Sequence, residues 1–223
     1  MEFFIGDKLY NYSEEQLNVQ MLNHGYEADV YQIKGQAVKI YKDYCHKRRL
    51  DEKTVEFLKS IKTNRFLLPI ETVYDDTCKF NGYTTKLIHE GNKYTISRMK
   101  INKFIEEMKT MTEDIKLLTK SGVTVFDLRF TDVLYGDGLY YCDPGSYIKE
   151  DNMTEREIEK ENKEQLNELL IEEILGPICK LTKKQKFNLR KMTLSGDYLS
   201  DLFSTDDSKS NESVLHFVKR ITK

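Results

Sequence analysis

The sequence predicts an α+β protein in which a small antiparallel sheet precedes a mainly helical half. Two observations lead to this prediction. Up to about residue 90, short runs rich in Val, Ile, Tyr and Thr alternate with turn residues, as in strands and hairpins. After the stretch at 89–92, apolar residues recur at spacings of three and four, as in helices that face a core.

Length and composition favour one unit, or two lobes that share a cleft. The chain has 223 residues, of which 39% are hydrophobic and 32% charged, enough to bury a core under a solvated exterior. Its 35 Lys and Arg against 37 Asp and Glu give a net charge of −2. Nucleic acid is therefore not an expected partner. The basic runs at 47–49 and 183–186 are interpreted as solvated faces.

Cysteine spacing and the N-terminus indicate the compartment. Cys45, Cys78, Cys142 and Cys179 form no CxxC pair, so neither a zinc ribbon nor a disulfide framework is predicted. The N-terminal residues MEFFIGDKLY lack the pattern of a signal peptide, and no run approaches the ~18 apolar residues of a membrane span. We expect a cytoplasmic protein that has no membrane partner.

The first half is predicted to hold five strands and one helix. Lys34-Gly35 and Asn81-Gly82 supply turn chemistry between apolar runs. The helix is predicted at 48–62, where apolar residues fall on one face. The five predicted strands lie at 3–5, 27–33, 37–41, 67–74 and 80–88.

Helical patterns organise the second half. Apolar residues over 101–118 predict a long helix that faces the core and closes at Gly122. A Thr154-x-x-Glu157 capping box opens another helix, which is expected to end at Gly176-Pro177. Two or three short helices are predicted over 181–223, joined by a polar stretch at 204–210.

Three aspartates mark the breaks in the segment 123–145. A Gly-Asp-Gly turn at 136–138 predicts a hairpin, and residues just outside its two strands, Asp132 and Asp143, should lie at the same open end. Mg²⁺ commonly binds through one or two carboxylates plus a polyphosphate, which such a pair could supply. Asp127, on the entry loop, could orient or deprotonate a hydroxyl. Aspartates in turns also cap backbone amides, so a purely structural role stays open for each.

Lys39 lies among apolar strand residues in the segment 37–40. An unpaired buried ammonium is costly, so Lys39 must either reach an anion or point to solvent, and alternation allows both. Upstream, Gly25 and Ala28 permit a tight backbone that could approach phosphates. Taken alone, one glycine and one alanine are more typical of an ordinary hairpin.

Together these segments resemble the eukaryotic-like protein kinase superfamily, with some similarity to RIO kinases. Asn23-x-Gly25-x-x-Ala28-x-Val30 is similar to its glycine-rich loop, and Ala37-Val38-Lys39 resembles the strand that carries the phosphate-binding lysine. The run 127–132, DLRFTD, resembles the catalytic loop, and Asp143-Pro144-Gly145 resembles DFG. The resemblance covers roughly residues 20 to 150.

The resemblance implies a bilobal protein-kinase-like fold in a single domain. Residues 1–88 would form the N-terminal lobe and hinge, a small sheet with one helix. Residues 89–223 would form a mainly helical C-terminal lobe of reduced size, because no APE triplet and little chain for an activation segment follow Gly145.

The same resemblance implies ATP and Mg²⁺ as cofactors. Lys39 would bind the α and β phosphates, Asp143 and Asp132 would bind metal, and Asp127 would act as base toward the acceptor hydroxyl. Residues implied near the nucleotide are Gly25 and Ala28 in the loop, Val30, Ala37 and Leu134 around adenine, and the hinge backbone of Lys86, Leu87 and Ile88.

Departures from the family pattern leave two functions open. Val125, Asp132 and Pro144 stand where the family has His, Asn and Phe. The preferred function is a transferase, a kinase that moves the γ-phosphate of Mg-ATP to a hydroxyl on a protein or small molecule. A small-molecule kinase similar to aminoglycoside or choline kinases is one form of it, because those enzymes also dispense with the activation segment. The alternative is a pseudokinase that acts as a nucleotide-binding or protein-interaction module.

The acidic partner of Lys39 is not assignable from spacing. Asp51, Glu52 and Glu56 all lie on the predicted helix at 48–62. Asp51 borders the apolar face of that helix and is slightly preferred.

Overall fold

The computed structural model of the protein describes residues 1–42, 50–193, 197–203 and 211–223. Cys45, the basic run at 47–49 and the polar stretch at 204–210 lie outside these ranges, as does the start of the helix predicted at 48–62. Within the described ranges, no helix is both long and apolar enough to cross a membrane.

The chain divides into two compact units, and it passes from the first to the second between His89 and Glu90. Two short segments depart from this simple order. Asn64–Phe66 belongs to the second unit, and Asp143–Gly145 belongs to the first. The first unit is built on a sheet and the second mainly on helices, so the predicted α+β class is confirmed.

The first unit contains one seven-stranded antiparallel sheet. In chain order its strands are β1 Glu2–Ile5, β2 Lys8–Asn11, β3 Met21–His24, β4 Ala28–Ile33, β5 Gln36–Tyr41, β6 Thr72–Asp75 and β7 Phe80–Lys86. Their order across the sheet is β2-β1-β6-β7-β5-β4-β3. Helices α1 Glu14–Gln20 and α2 Glu52–Lys59 accompany it.

The turn predicted at Lys34 and Gly35 is confirmed between β4 and β5, whereas the Asn81-Gly82 turn was wrong because both residues lie within β7. Ile33 pairs with Gln36, which leaves a two-residue loop, and both loop residues have positive φ, 50° and 79°. Such loops match the twist of antiparallel strands, and glycine adopts positive φ without steric cost. The hairpin sets the register of β5, the strand that carries Lys39.

Three elements of the first unit were missed or misplaced by sequence patterns. Strand β2 and helix α1 were not predicted, although Ser13 and Gln16 form a reciprocal capping box at the start of α1. Only Leu17 of α1 is buried, too little for an apolar stripe. The strand predicted at 67–74 begins at Thr72.

The second unit contains two two-stranded sheets among helices. Its strands are β8 Val123–Val125, β9 Val133–Tyr135, β10 Leu139–Tyr141 and β11 Tyr147–Lys149, with β9 paired to β10 and β8 to β11. Its helices are α3 Ile101–Lys120, α4 Glu155–Glu168, α5 Gly176–Cys179, α6 Lys183–Thr193 and α7 Val214–Ile221. A π-helical segment, Leu169–Leu175, joins α4 to α5.

Two helix predictions were confirmed at their starts and one was wrong at its end. Helix α3 is the predicted long helix, with Gly122 at φ 74° after its last turn. Thr154 and Glu157 form the predicted capping box of α4. The helical run does not end at Gly176-Pro177 but continues to Cys179, because proline at the first turn of α5 needs no hydrogen-bonded N–H.

Two buried carboxylates on α3 hold two other segments of the second unit, residues 64–66 and the β9–β10 hairpin. Asp114 accepts hydrogen bonds from the backbone N–H groups of Asn64 and Phe66 at 2.9 and 3.1 Å. Glu107 pairs with Arg65 Nε at 2.8 Å and accepts the N–H of Leu139 at 3.0 Å. Helix α3 thereby holds the β9–β10 hairpin, whose far end leads into Asp143.

Candidate active site

Lys39 and Asp143 meet within the first unit. Lys39 Nζ lies 3.0 Å from Asp143 Oδ1, although 104 residues separate the two in the chain. The Lys39 side chain is 18% exposed and that of Asp143 39%. Of the two alternatives that alternation left open, Lys39 therefore takes the one in which it reaches an anion.

The surroundings of Lys39 favour its charged form. Burial is the largest single effect and lowers its pKa, but the charge and hydrogen bond of Asp143, with smaller effects of Tyr41 and Glu27, raise it above the ordinary value. The ammonium also lies 5.7 Å from the ring centroid of Tyr83, its cross-strand partner on β7. Lys39 is therefore held as a cation.

Strand β7 approaches the backbone of Lys39 closely at Gly82. Gly82 has φ 156°, and a Cβ atom there would lie 2.0 Å from the carbonyl oxygen of Lys39. No other residue type fits without moving one of the strands. This contact and the Tyr83 ring fix the position of Lys39 from the β7 side.

The acids of α2 are engaged elsewhere. Asp51 caps α2 by accepting the N–H of Thr54 at 2.7 Å, Glu52 accepts the hydroxyl of Tyr74 at 2.7 Å, and Glu56 pairs with Lys59 at 2.9 Å. The preference for Asp51 as partner of Lys39 is therefore not supported, because a helix N-cap directs its carboxylate into its own first turn.

The turn that resembles a glycine-rich loop is short and tied. Gly25 N–H donates to the carbonyl of Ala28 at 3.0 Å between β3 and β4. Lys42 Nζ donates to the carbonyl of Gly25 at 2.6 Å and lies 3.0 Å from Asp29. The Asp29 carboxylate also lies 2.8 Å from His24 Nδ1. These contacts hold the turn from strands on either side of it.

The remaining predicted nucleotide contacts in the first unit lie on neighbouring strands. Val30 on β4 pairs with Lys39, and Ala37 on β5 pairs with Thr85. Lys86 ends β7 opposite Gln36, and Leu87 and Ile88 follow it.

Asp143 begins a tight turn. Its Oδ1 accepts the N–H of Gly145 at 3.1 Å in addition to the Lys39 ammonium. Both hydrogen bonds recorded for this carboxylate within the described residues go to Oδ1, so Oδ2 can bind a hard cation. In kind and in exposure, Asp143 fits a Mg²⁺ ligand.

Asp127 and Arg129 form an exposed pair in the second unit. Arg129 Nε lies 2.8 Å from Asp127 Oδ1, with side-chain exposures of 59% and 52%. The hydrogen bond and charge of Asp127 raise the pKa of Arg129. Asp127 has φ 53°, a conformation that non-glycine residues adopt at a cost of ~1–3 kcal/mol when neighbours enforce it.

The loop around Asp127 is held by side chains that sequence patterns missed. Asn162 of α4 is fully buried, accepts the N–H of Val125 at 2.8 Å and donates to the carbonyl of Val123 at 2.8 Å. Glu173 Oε2 accepts the N–H of Phe130 at 3.1 Å. Nothing local in a helix rich in Glu and Lys marks these two residues, because their partners are distant in sequence.

Asp132 closes the predicted hairpin. Cys142 N–H donates to the carbonyl of Asp132 at 2.9 Å, so the pairing of β9 and β10 extends to these two residues and Asp143 follows directly in the chain. Leu134 pairs with Tyr140 inside the hairpin.

In the described part of the chain, no group of three or more His, Cys, Asp or Glu side chains could hold a metal. A metal held by one or two carboxylates and a polyphosphate needs no such group.

Two solved structures are similar to this chain over most of its length. The kinase domain of Mycobacterium tuberculosis PknI matches with a TM-score of 0.52 and 11% identity, covering 91% of this chain and 93% of that one. A cysteine-to-alanine mutant of the same domain matches with the same TM-score and identity, and the match covers 91% of this chain and 92% of the mutant chain. The chain has a protein-kinase-like fold. No family model and no curated protein sequence matches it.

The protein-kinase-like fold that the resemblance implied is therefore confirmed. The motifs that carried the resemblance cover roughly residues 20 to 150, whereas the structural similarity spans 91% of the chain. The helical C-terminal part, which has no recognisable motif, is thus included in the protein-kinase-like fold. At 11% identity the similarity concerns the fold alone.

Proposed function

We propose that this protein is an ATP-dependent phosphotransferase that moves the γ-phosphoryl group of Mg-ATP to a hydroxyl on a protein or small molecule. Residues 1–88 and 89–223 would act as the two lobes of one kinase-like domain. The observation that carries the proposal is the 3.0 Å contact between Lys39 and Asp143, a strand lysine and the aspartate of a DFG-like turn. In the proposed function, these two groups would position the polyphosphate and the metal.

In the proposed nucleotide site, charged side chains would bind the phosphates and the metal, and apolar side chains would bind adenine. Lys39 would bind the α and β phosphates, and the carboxylates of Asp143 and Asp132 would hold Mg²⁺. The metal, when bound, would neutralise charge on the β and γ phosphates. Val30 and Ala37 would contact one face of adenine, and Leu134 would contact the other.

The proposed transfer uses Asp127 as base. The acceptor hydroxyl would form a bond to the γ-phosphorus while the bond from phosphorus to the bridging oxygen breaks, and the hydroxyl proton would pass to Asp127. Arg129 would orient the Asp127 carboxylate through the 2.8 Å contact. Positioning of this kind supplies most of the catalysis in phosphoryl transfer.

The decisive experiment separates binding from turnover. ATP binding with and without Mg²⁺ is measured by calorimetry for wild type, Lys39→Met and Asp143→Asn. Lys59→Met is the matched control, because Lys59 is also a lysine of the first unit held in ion pairs, with Glu56 and Glu71. We expect binding to be lost in the first two variants and kept in the control; absence of Mg-ATP binding in wild type contradicts the proposal.

Transfer is tested with labelled ATP and panels of protein and small-molecule acceptors. Asp127→Asn should abolish incorporation of label while ATP binding stays within about twofold of wild type. The acceptor that becomes labelled distinguishes a protein kinase from a small-molecule kinase.

The alternative function is a pseudokinase that acts as a nucleotide-binding or purely protein-interaction module. One observation favours it: Asp51, Glu52 and Glu56 of α2 all contact groups other than Lys39. Binding of ATP by wild type without transfer to any acceptor, and with Asp127→Asn indistinguishable from it, would support this alternative.

A further inference from the structure

We infer that Glu173 is a positioning residue for the catalytic loop and acts through the backbone amide of Phe130; this role rests on the proposed phosphotransfer. Phe130 lies between the proposed base Asp127 and the proposed metal ligand Asp132. Glu173 Oε2 accepts its N–H at 3.1 Å. A hydrogen bond from a backbone amide to a carboxylate is roughly twice as strong as one between neutral groups.

Glu173 is one of two partly exposed residues of the π-helical segment. Five of the seven residues of Leu169–Leu175 are buried and apolar, and the two that differ are Glu172 and Glu173. Both glutamates are partly exposed, so the segment has a polar side next to its buried apolar residues.

The two glutamates have different partners. Glu172 contacts two cations of α6, Lys186 at 2.7 Å and Arg190 at 3.3 Å. The hydrogen bond recorded for Glu173 within the described residues goes to Phe130 N–H, and no cation contacts it there. The contact that distinguishes Glu173 from Glu172 is therefore its hydrogen bond to the loop.

The loop needs such a restraint because of its own backbone. Asp127 has positive φ, 53°, which relaxes unless the flanking residues are held. Asn162 holds the entrance at Val125, and Glu173 holds the exit at Phe130. Π-helical segments are rare and occur frequently at functional sites, and this one supplies the second restraint.

The spacing of the two restraints matches the loop. Asn162 and Glu173 are eleven residues apart, about 16 Å along a helix at ~1.5 Å per residue. Val125 and Phe130 are five residues apart, which an extended chain spans with at most about 17 Å. Asn162 and Glu173 contact Val125 and Phe130 respectively, so one helical run holds both ends of the loop and leaves Asp127 between them.

The test uses two readouts. In Glu173→Ala, kcat for phosphate transfer should fall about tenfold to a hundredfold, because misplacement near 1 Å costs that much, while KM for ATP stays within about twofold. Glu173→Gln keeps an acceptor oxygen and should restore kcat to within about fivefold of wild type. Amide hydrogen exchange at Phe130 should accelerate at least about tenfold in Glu173→Ala.

Glu172→Ala is the matched control, since it removes the same charge from the neighbouring position and touches α6 instead. We expect its kcat and its Phe130 exchange to match those of wild type. Equal losses in both alanine variants, or unchanged Phe130 exchange in Glu173→Ala, would overturn the positioning role.

The exchange measurement needs no activity, so it decides the role of Glu173 even if wild type transfers no phosphate and the proposed function fails. If Glu173→Ala does not fold, Phe130 exchange in Glu173→Gln, expected to be only slightly faster than in wild type, decides the question.

Discussion

The ammonium of Lys39 lies 3.0 Å from the carboxylate of Asp143, a residue 104 positions later that belongs to the same compact unit. The short segment Asp143–Gly145 leaves the second unit to make this contact. A lysine that is only 18% exposed needs an anion, and Asp143 supplies it. The proposed nucleotide site is therefore also a structural contact of the first unit.

The Lys39–Asp143 pair predicts a pH dependence of stability. The pKa of Lys39 is raised above its ordinary value of 10.5 in the folded protein. A cation with a raised folded pKa contributes its full stabilisation below the unfolded pKa, and this is lost as pH rises through the folded pKa. The difference in free energy of unfolding between wild type and Lys39→Met should therefore be constant from about pH 7 to about pH 10 and shrink above it. Urea unfolding measures it; a difference that shrinks already near neutral pH would contradict the prediction.

Replacing Glu107 should destabilise the second unit. Glu107→Ala leaves the Arg65 guanidinium and the Leu139 amide without their 2.8 and 3.0 Å partner. Breaking a buried pair costs about 3–5 kcal/mol, and Arg65 keeps some access to water, so we expect about 2–4 kcal/mol. Denaturant unfolding measures the loss. Glu106→Ala, at the neighbouring exposed position, should change stability by less than ~0.5 kcal/mol; similar losses in both would contradict the assignment.

Replacing Asn162 should affect both stability and the catalytic loop. Asn162→Leu keeps the approximate size but leaves the Val125 amide and the Val123 carbonyl buried without their hydrogen bonds. We expect a loss of about 2–4 kcal/mol in thermal or denaturant unfolding, since each unsatisfied group costs ~1–3 kcal/mol. Asn152→Leu is the exposed control. A stable Asn162→Leu protein with wild-type exchange at Val125 would show that the contacts carry little energy.

The cysteines should differ strongly in reactivity. Burial raises the pKa of the Cys179 thiol to about 11, and Cys179 is 1% exposed, whereas Cys78 is exposed. Because the thiolate is the reactive form, alkylation of native protein near neutral pH should modify Cys78 at least about a hundredfold faster than Cys179. Peptide mapping by mass spectrometry measures both, with Cys78→Ser to identify the fast site. Equal rates in native protein would contradict the burial of Cys179.

Local patterns predicted those parts of the fold in which neighbouring residues carry the signal. Residues only a few positions apart specify three such features. These are the apolar stripe of α3, the capping box at Thr154 and the Lys34-Gly35 turn. Helix α1 was missed because one buried leucine makes no stripe. The end of the α4–α5 run was misplaced because Pro177 continues a helix at its first turn and does not end it there.

The sequence by itself determined the α+β class, the hairpin between Asp132 and Asp143, and the identity of Lys39, Asp127 and Asp143 as candidate site residues. Only the tertiary structure decided that Lys39 pairs with Asp143 while Asp51 caps its own helix, and that Asn162 and Glu173 hold the loop around Asp127. The physical reason is range. Caps, turns and amphipathic stripes depend on residues a few positions apart, whereas a buried carboxylate or amide takes its partner from whichever distant segment the fold brings to it.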